Sequence, residues 1–153
     1  MSDLYCLKCR KYHHSSNHKC NVLSLIPVTR RCKKLADTLY KLCIEPFSVG
    51  HFTYPVTGSE NRYVLNVIVE LQPKYTLNIL SDLPIRWRIY TETYSSDRTP
   101  LVVPVLAYYE NYCYDGIKTV DDRVQEVIDE FVQFLDANYD AEAIKAIITL
   151  TYS

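Results

Sequence analysis

The sequence predicts an α+β fold, a mainly antiparallel sheet of four to five strands with helices packed on one face, together with a small N-terminal appendage. Apolar residues occupy alternate positions in 62–71 and 86–94, which is typical of strands with one buried face. They recur at three- and four-residue spacing through 29–43 and 119–137, which is typical of amphipathic helices. Residues 6–20 instead concentrate cysteine and histidine, so we expect the appendage there.

The chain length sets the expected domain organisation. At 153 residues the chain is long enough to bury one substantial core. We predict a Cys/His appendage over residues 1–27 and an α+β domain over residues 28–153. The sequence contains no apolar run of about 18 residues and no charged segment followed by an apolar one at its N-terminus. It therefore predicts neither a membrane span nor a signal peptide, and we expect a cytoplasmic protein.

The elements follow from local signals. Thr29 is placed to cap a first helix that runs to about Cys43, and Glu45-Pro46 ends it because the residue before proline disfavours the helical region. Proline within a strand favours an edge or a bulge, so Pro104 predicts one of these in the last strand. The predicted strands cover 47–54, 62–71, 74–80, 86–94 and 101–114.

Two further helices are predicted after the sheet. Thr119 and Asp122 have the spacing of a capping box for a helix that ends near Ala137. Asp140 is placed to cap a final short helix, although the β-branched residues near the C-terminus would also suit a strand. The solvent side of the longer helix is acidic, whereas that of the first helix is basic.

Cysteine and histidine spacing near the N-terminus predicts a metal site. Cys6 and Cys9 are separated by two residues, so one turn presents both sulfurs to the same ion, and zinc prefers four tetrahedral thiolate or imidazole ligands. The other two ligands must come from His13, His14, His18 and Cys20. So many close ligands leave no open position for water, which favours a structural ion. We predict zinc held by ligands drawn from Cys6, Cys9, His14, His18 and Cys20.

Two ligand arrangements remain open, and each resembles a class of small zinc module. With His14 as the third ligand, residues 6–20 have the pattern C-x2-C-x4-H-x5-C, which resembles the zinc knuckle except that the last spacer is one residue longer and the turn glycines are missing. With His18 the pattern is C-x2-C-x8-H-x-C, which resembles zinc-ribbon and treble-clef turns. The resemblance to the zinc knuckle implies nucleic-acid binding.

Charge is divided unevenly along the chain. Residues 1–46 hold nine Lys and Arg against three Asp and Glu, whereas residues 47–153 hold eight against fifteen. A basic segment favours a polyanion, and the interleaved rings of Tyr5 and Tyr12 favour stacking on unpaired bases. We therefore predict a binding or regulatory protein that contacts single-stranded nucleic acid. The predicted contacts are Lys8, Arg10, Lys11, Lys19, Arg30, Arg31 and Lys34.

Two other functions stay open. The acidic helix and a tyrosine-rich sheet offer a surface for docking onto another protein, as an interaction module or an inhibitor. Alternatively, a small anionic ligand such as a nucleotide would be bound by the loop residues Arg86, Arg88, Ser95, Ser96 and Arg98. The sequence has no phosphate-binding glycine loop, nucleophile elbow or metalloprotease motif, so catalysis is not predicted.

Overall fold

The computed structural model describes residues 4–13, 20, 25–77, 79–80, 82–95 and 100–152. Within them lie two antiparallel sheets and three α-helices. The strands are β1 (Leu4–Cys6), β2 (Lys11–His13), β3 (Leu25–Ile26), β4 (Pro46–Pro55), β5 (Arg62–Leu71), β6 (Trp87–Tyr94) and β7 (Leu101–Cys113). The helices are α1 (Lys33–Lys41), α2 (Val120–Asn138) and α3 (Ala141–Tyr152).

The larger sheet has the strand order β4-β5-β7-β6, and all neighbouring strands are antiparallel. Alternate residues of β5, including Leu65 and Val67, are fully buried in one core with Leu39 of α1, Phe131 of α2 and Ile144 of α3. The three helices therefore pack on the same face of the sheet. We call the opposite side the open face. The predicted α+β architecture is confirmed.

The small sheet has β1 in its centre, between β2 and β3. Tyr5 and Leu7 are buried in the same core as α1, and the Tyr5 hydroxyl donates a hydrogen bond to Asp37 of that helix. The chain after β3 runs beside the edge strand β4, where the Val49 N–H donates to the Pro27 carbonyl over 3.0 Å. The small sheet is thus fixed against the main sheet and α1. The domain boundary at residue 27 remains a prediction.

The first helix begins later and ends earlier than predicted. Thr29 makes no side-chain cap, because its Oγ1 instead lies 2.9 Å from Nδ1 of His51, and a 3-10 turn over Arg30–Cys32 precedes α1. At the other end, Cys43 adopts the left-handed conformation with φ 67°. This conformation turns the chain out of the helix before the proline is reached.

The predicted strand over 74–80 is wrong, since its described residues form turns and bends. Both β5 and β6 lie antiparallel to β7, so they point the same way and need a crossover connection between them. Tyr75, Ile79 and Leu80 are buried in the core on the helix side and anchor that connection.

The β7 ladders show no register shift, so the predicted bulge is wrong, whereas Pro104 lies where β7 pairs with β6 alone, which is the local edge that the other alternative predicted. The last pair between β5 and β7 is Glu70 with Val105. Pro104 therefore lies one residue beyond the β5 ladder, where its missing N–H interrupts no pairing with β5.

The helices that follow the sheet begin as predicted. Oγ1 of Thr119 accepts from the Asp122 N–H over 3.1 Å, and both halves of the capping box are present. Oδ1 of Asp140 accepts from the Ala143 N–H over 2.8 Å, and the chain that follows is helical. In the described part of the chain, no helix is long and apolar enough to cross a bilayer.

Candidate metal centre and adjoining sheet face

A tight turn after β1 presents the first two cysteines. The Arg10 N–H donates to the Cys6 carbonyl over 2.8 Å, and the Cys9 N–H lies 3.3 Å from the Cys6 sulfur. Arg10 has φ 59°, the left-handed conformation that glycine adopts at lower cost. The turn therefore forms without the glycine of a zinc knuckle, and it aims a backbone N–H at the buried sulfur.

Three sulfurs converge beside this turn. The Sγ atoms of Cys6, Cys9 and Cys20 all lie within 4.8 Å of one another, and those of Cys9 and Cys20 are 3.3 Å apart. A tetrahedral ion with metal–sulfur bonds of about 2.3 Å needs sulfurs about 3.8 Å apart. The cluster could therefore bind a metal ion. Of the other predicted ligands, His14 and His18 lie outside the described residues.

Hydrogen bonds among the thiols shift the pKa values of Cys6 and Cys9 in opposite directions. Burial would raise the pKa of Cys6, but hydrogen bonds from the backbone and thiol of Cys9 outweigh it and lower that pKa. The neighbouring Cys20 and Cys6 thiols raise the pKa of Cys9 to about 11. A metal ion must displace the remaining protons, so its affinity is expected to fall in acid.

An arginine and two tyrosines connect the turn that carries Cys6 and Cys9 to the main sheet. The rings of Tyr5 and Tyr12 have centroids 4.8 Å apart, and the Tyr12 hydroxyl donates to the Val28 carbonyl over 3.0 Å. The guanidinium carbon of Arg30 lies 4.0 Å from the centroid of Tyr12, within cation–π range. The guanidinium of Arg30 thus lies over the Tyr12 ring, which also contacts Tyr5 and the Val28 carbonyl.

This stacked pair forms one wall of a groove of about 540 Å³. Tyr12 and Arg30 line one side, while Phe52 of β4 and Ile68 and Glu70 of β5 line the other. Strand alternation places these β4 and β5 residues on the open face, since Val49 and Val69 point into the core. The groove therefore joins the small N-terminal sheet to the open face.

The open face carries exposed aromatic rings. Phe52 and Tyr54 are 46% and 49% exposed, and their rings stack with centroids 6.4 Å apart. Tyr109 is 45% exposed on the strand two places away. From the sequence, Phe52 and Tyr54 are predicted to lie in a strand but are not identified as exposed rings. Their alternation with core residues along that strand would have indicated it.

The predicted tyrosine-rich surface is divided between the two faces. Tyr109 lies opposite Asn66 and faces outward, whereas Tyr108 lies opposite the buried Val67 and is itself buried. Tyr112 lies four residues after Tyr108 in the same strand, so its side chain is on the same face of the sheet. Its hydroxyl donates a hydrogen bond to the Lys118 carbonyl, just before α2.

The predicted basic residues also divide into groups. Lys8, Arg10 and Lys11 are exposed on and beside the turn that carries Cys6 and Cys9. Arg30 lines the groove, whereas Arg31 lies 3.6 Å from the Asp121 carboxylate of α2. The others are Lys34, which is exposed on α1, and Lys19, which lies outside the described residues.

The structure does not bring the predicted anion-binding arginines together. Arg86 has φ 75°, and its side chain reaches Glu110 at 3.2 Å on the helix side of the sheet. Arg88 instead lies over the Tyr90 ring on the open face, 5.2 Å from its centroid. Ser95 is exposed, and the remaining predicted residues, Ser96 and Arg98, lie outside the described part.

Glu110 is a buried carboxylate, 6% exposed, surrounded by donors. Arg123 donates to both of its oxygens, over 2.9 and 2.7 Å, and the Tyr108 hydroxyl donates over 2.7 Å. Burial would raise the pKa of Glu110, but the hydrogen bonds from Arg123 and Tyr108 outweigh it and lower that pKa. With Arg86 also bonded to it, this carboxylate is fully engaged within the fold.

Comparison with protein-family models, curated proteins and solved structures found no match. Three features of the described residues are candidates for a functional role. They are the cysteine cluster, the groove beside it and the exposed aromatic rings of the open face.

Proposed function

We propose that this protein binds single-stranded nucleic acid along a surface that runs from a zinc-stabilised N-terminal turn onto the open face of the sheet. The observation that carries the proposal is the Arg30–Tyr12 stack in the wall of the groove. It places a fixed cation and an aromatic ring between the basic turn and the exposed rings of β4. Phosphate contacts and base stacking are the two components of single-strand binding.

The proposed ion is zinc. Thiolates are soft ligands, and a set of three thiolates with one imidazole is a common structural zinc site. Cys6, Cys9 and Cys20 supply the thiolates, and His14 or His18 is proposed to supply the fourth ligand. Such a closed set excludes substrate water, so the ion holds the turn in place and performs no chemistry.

The two chemical components occupy adjacent surfaces. Lys8, Arg10 and Lys11 extend from the metal turn, where their charges would neutralise phosphates. Phe52, with Tyr54 beside it, presents a ring face to solvent, and four-stranded sheets with exposed rings stack unpaired bases in this way. A nucleic-acid strand that runs from the turn onto the sheet would contact the cations first and the aromatic rings second.

The acidic surface lies away from this path. α2 packs against the helix side of the sheet, so its exposed carboxylates, among them Glu130 and Asp136, are separated from the open face by the sheet itself. Repulsion of a polyanion by the carboxylates of α2 is therefore directed away from the open face.

Fluorescence anisotropy with labelled single-stranded DNA and RNA tests the proposal. We expect Phe52→Ala to weaken binding about tenfold, because stacking contributes about 1–3 kcal/mol per base. Leu77→Ala is the matched control, since Leu77 is 44% exposed on the connection between β5 and β6. Arg30→Ala should weaken binding as well, whereas Arg31→Ala should not, because Arg31 is directed to α2.

Salt dependence separates this function from protein docking. Between about 50 and about 200 mM salt, the affinity of the wild type should fall steeply, and each of Lys8→Ala, Arg10→Ala and Lys11→Ala should reduce the logarithmic slope by about 0.7. An affinity that does not change with salt, or equal losses of affinity in Arg30→Ala and Arg31→Ala, would contradict the proposal. Either result would favour a protein partner instead.

A further inference from the structure

Among the described residues, no strand pairs with the outer edge of β6, which is eight residues long. β6 bonds to β7 on one side, and in the described part of the chain no backbone group from Arg88 to Tyr94 bonds to anything else. Its residues from Thr91 to Tyr94 are all exposed. Long open edges pair readily with another strand unless they are blocked.

The hydrogen-bond pattern identifies which groups point outward. The Tyr109 N–H donates to the Arg86 carbonyl over 3.3 Å, one pair beyond Trp87 and Tyr108, with which the β6–β7 register begins. Hydrogen-bonded pairs alternate with non-bonded ones in an antiparallel ladder, so even-numbered residues of β6 bond to β7. The N–H and C=O groups of Ile89, Thr91 and Thr93 therefore face the open edge.

We propose that β6 pairs antiparallel with β6 of a second copy of this chain, with Tyr90 opposite its own symmetry mate. Ile89 then lies opposite Thr91 of the second copy, and both present their backbone groups outward, so they form a hydrogen-bonded pair. On the open face, Arg88 lies opposite Glu92 in each half of the symmetric interface. These are non-bonded pairs, in which side chains approach most closely.

Charge complementarity selects this register over its neighbours. If the two β6 strands shift by one residue, backbone groups that face the open edge in one copy lie opposite residues whose backbone groups face β7 in the other. The hydrogen bonds between the two copies are then lost. Slips that keep the hydrogen bonds place Arg88 opposite Tyr90 or Tyr94 instead of Glu92. The pairing with Tyr90 at its centre is thus the register that combines outward backbone groups with two Arg88–Glu92 ion pairs.

The occupant is a second copy because the edge is self-complementary. A two-fold axis through the Tyr90 pair maps the Arg88 of each chain onto the Glu92 of the other, as an isologous interface requires. The dimer would be a continuous eight-stranded sheet, since each copy contributes four strands. Both open faces then lie on the same side.

Sedimentation equilibrium of the full chain, without nucleic acid, tests the dimer. We expect a dimer for the wild type. Arg88→Glu and Glu92→Arg should each raise the dimer dissociation constant at least about tenfold, because each sets like charges opposite one another. The double variant Arg88→Glu/Glu92→Arg restores opposite charges and should recover the dissociation constant to within about threefold.

Amide hydrogen exchange supplies a readout specific for the register. In the wild-type dimer the amides of Ile89, Thr91 and Thr93 should be protected, and in Arg88→Glu they should exchange rapidly. The amides of Tyr90 and Glu92 bond to β7 and should stay protected in both, which verifies that the variant is folded. A monomeric wild type, or single variants that dimerise as well as the wild type, would overturn the proposal without affecting the test of nucleic-acid binding.

Discussion

Replacing Cys6 with serine is expected to abolish zinc binding and to lower the free energy of unfolding by about 4 kcal/mol when zinc is present at about a thousand times its dissociation constant. Cys6 is completely buried, and its sulfur accepts the N–H of Cys9. A turn of this size buries too little apolar surface to hold itself, so the ion supplies the stabilisation.

Metal analysis and denaturant unfolding, each with and without a chelator, measure this effect. Cys113→Ser is the matched control, because Cys113 is exposed at the end of β7 and lies far along the chain from the cluster. Chelation should destabilise the wild type and Cys113→Ser equally and leave Cys6→Ser unchanged. A full equivalent of zinc retained by a Cys6→Ser/Cys9→Ser double variant would contradict the metal site.

Elements with a strong local period were predictable from the sequence. β5 has the predicted bounds because apolar residues, among them Leu65, Val67 and Val69, occupy every second position, and that period matches a sheet with one buried face. α2 begins as predicted because the Thr119 and Asp122 capping box is a purely local interaction.

Features that depend on tertiary contacts were not predictable in the same way. β1 and β2 have three residues each, too few for a period, and they form against a core that includes α1. The groove brings Tyr12 together with Phe52, forty residues along the chain, through the pairing of Val28 with Val49. The left-handed conformation of Arg86 also has no sequence signal, yet it decides that this arginine meets Glu110.

The second large effect is expected at the buried carboxylate of β7. Arg123→Met should lower the free energy of unfolding by about 3–5 kcal/mol, because it leaves Glu110 buried without its main partner. Arg86 cannot replace that partner, since its side chain is half exposed and it makes a single bond of 3.2 Å. Arg62→Met is the matched control, because Arg62 is exposed at the start of β5.

A double-mutant cycle distinguishes a buried charge from lost packing. Glu110→Met/Arg123→Met removes both charges, so we expect it to be more stable than Arg123→Met alone. Urea unfolding at neutral pH measures the four free energies. Additive losses in the double variant would mean that Arg123 acts through its aliphatic packing against α2 and not through the ion pair.

The pH dependence of unfolding gives an independent check on the same pair. Because the folded-state pKa of Glu110 is lowered, its contribution to stability is present above the unfolded pKa of about 4.3 and is lost as the pH falls through the folded pKa. In Arg123→Met the principal cause of the lowering is gone, and burial then raises the pKa of the carboxyl. That variant should gain stability relative to the wild type as the solution is acidified, because its neutral carboxyl is the favoured buried form. A stability difference that stays constant from neutral pH to about pH 3 would show that Glu110 does not titrate with Arg123 as its partner.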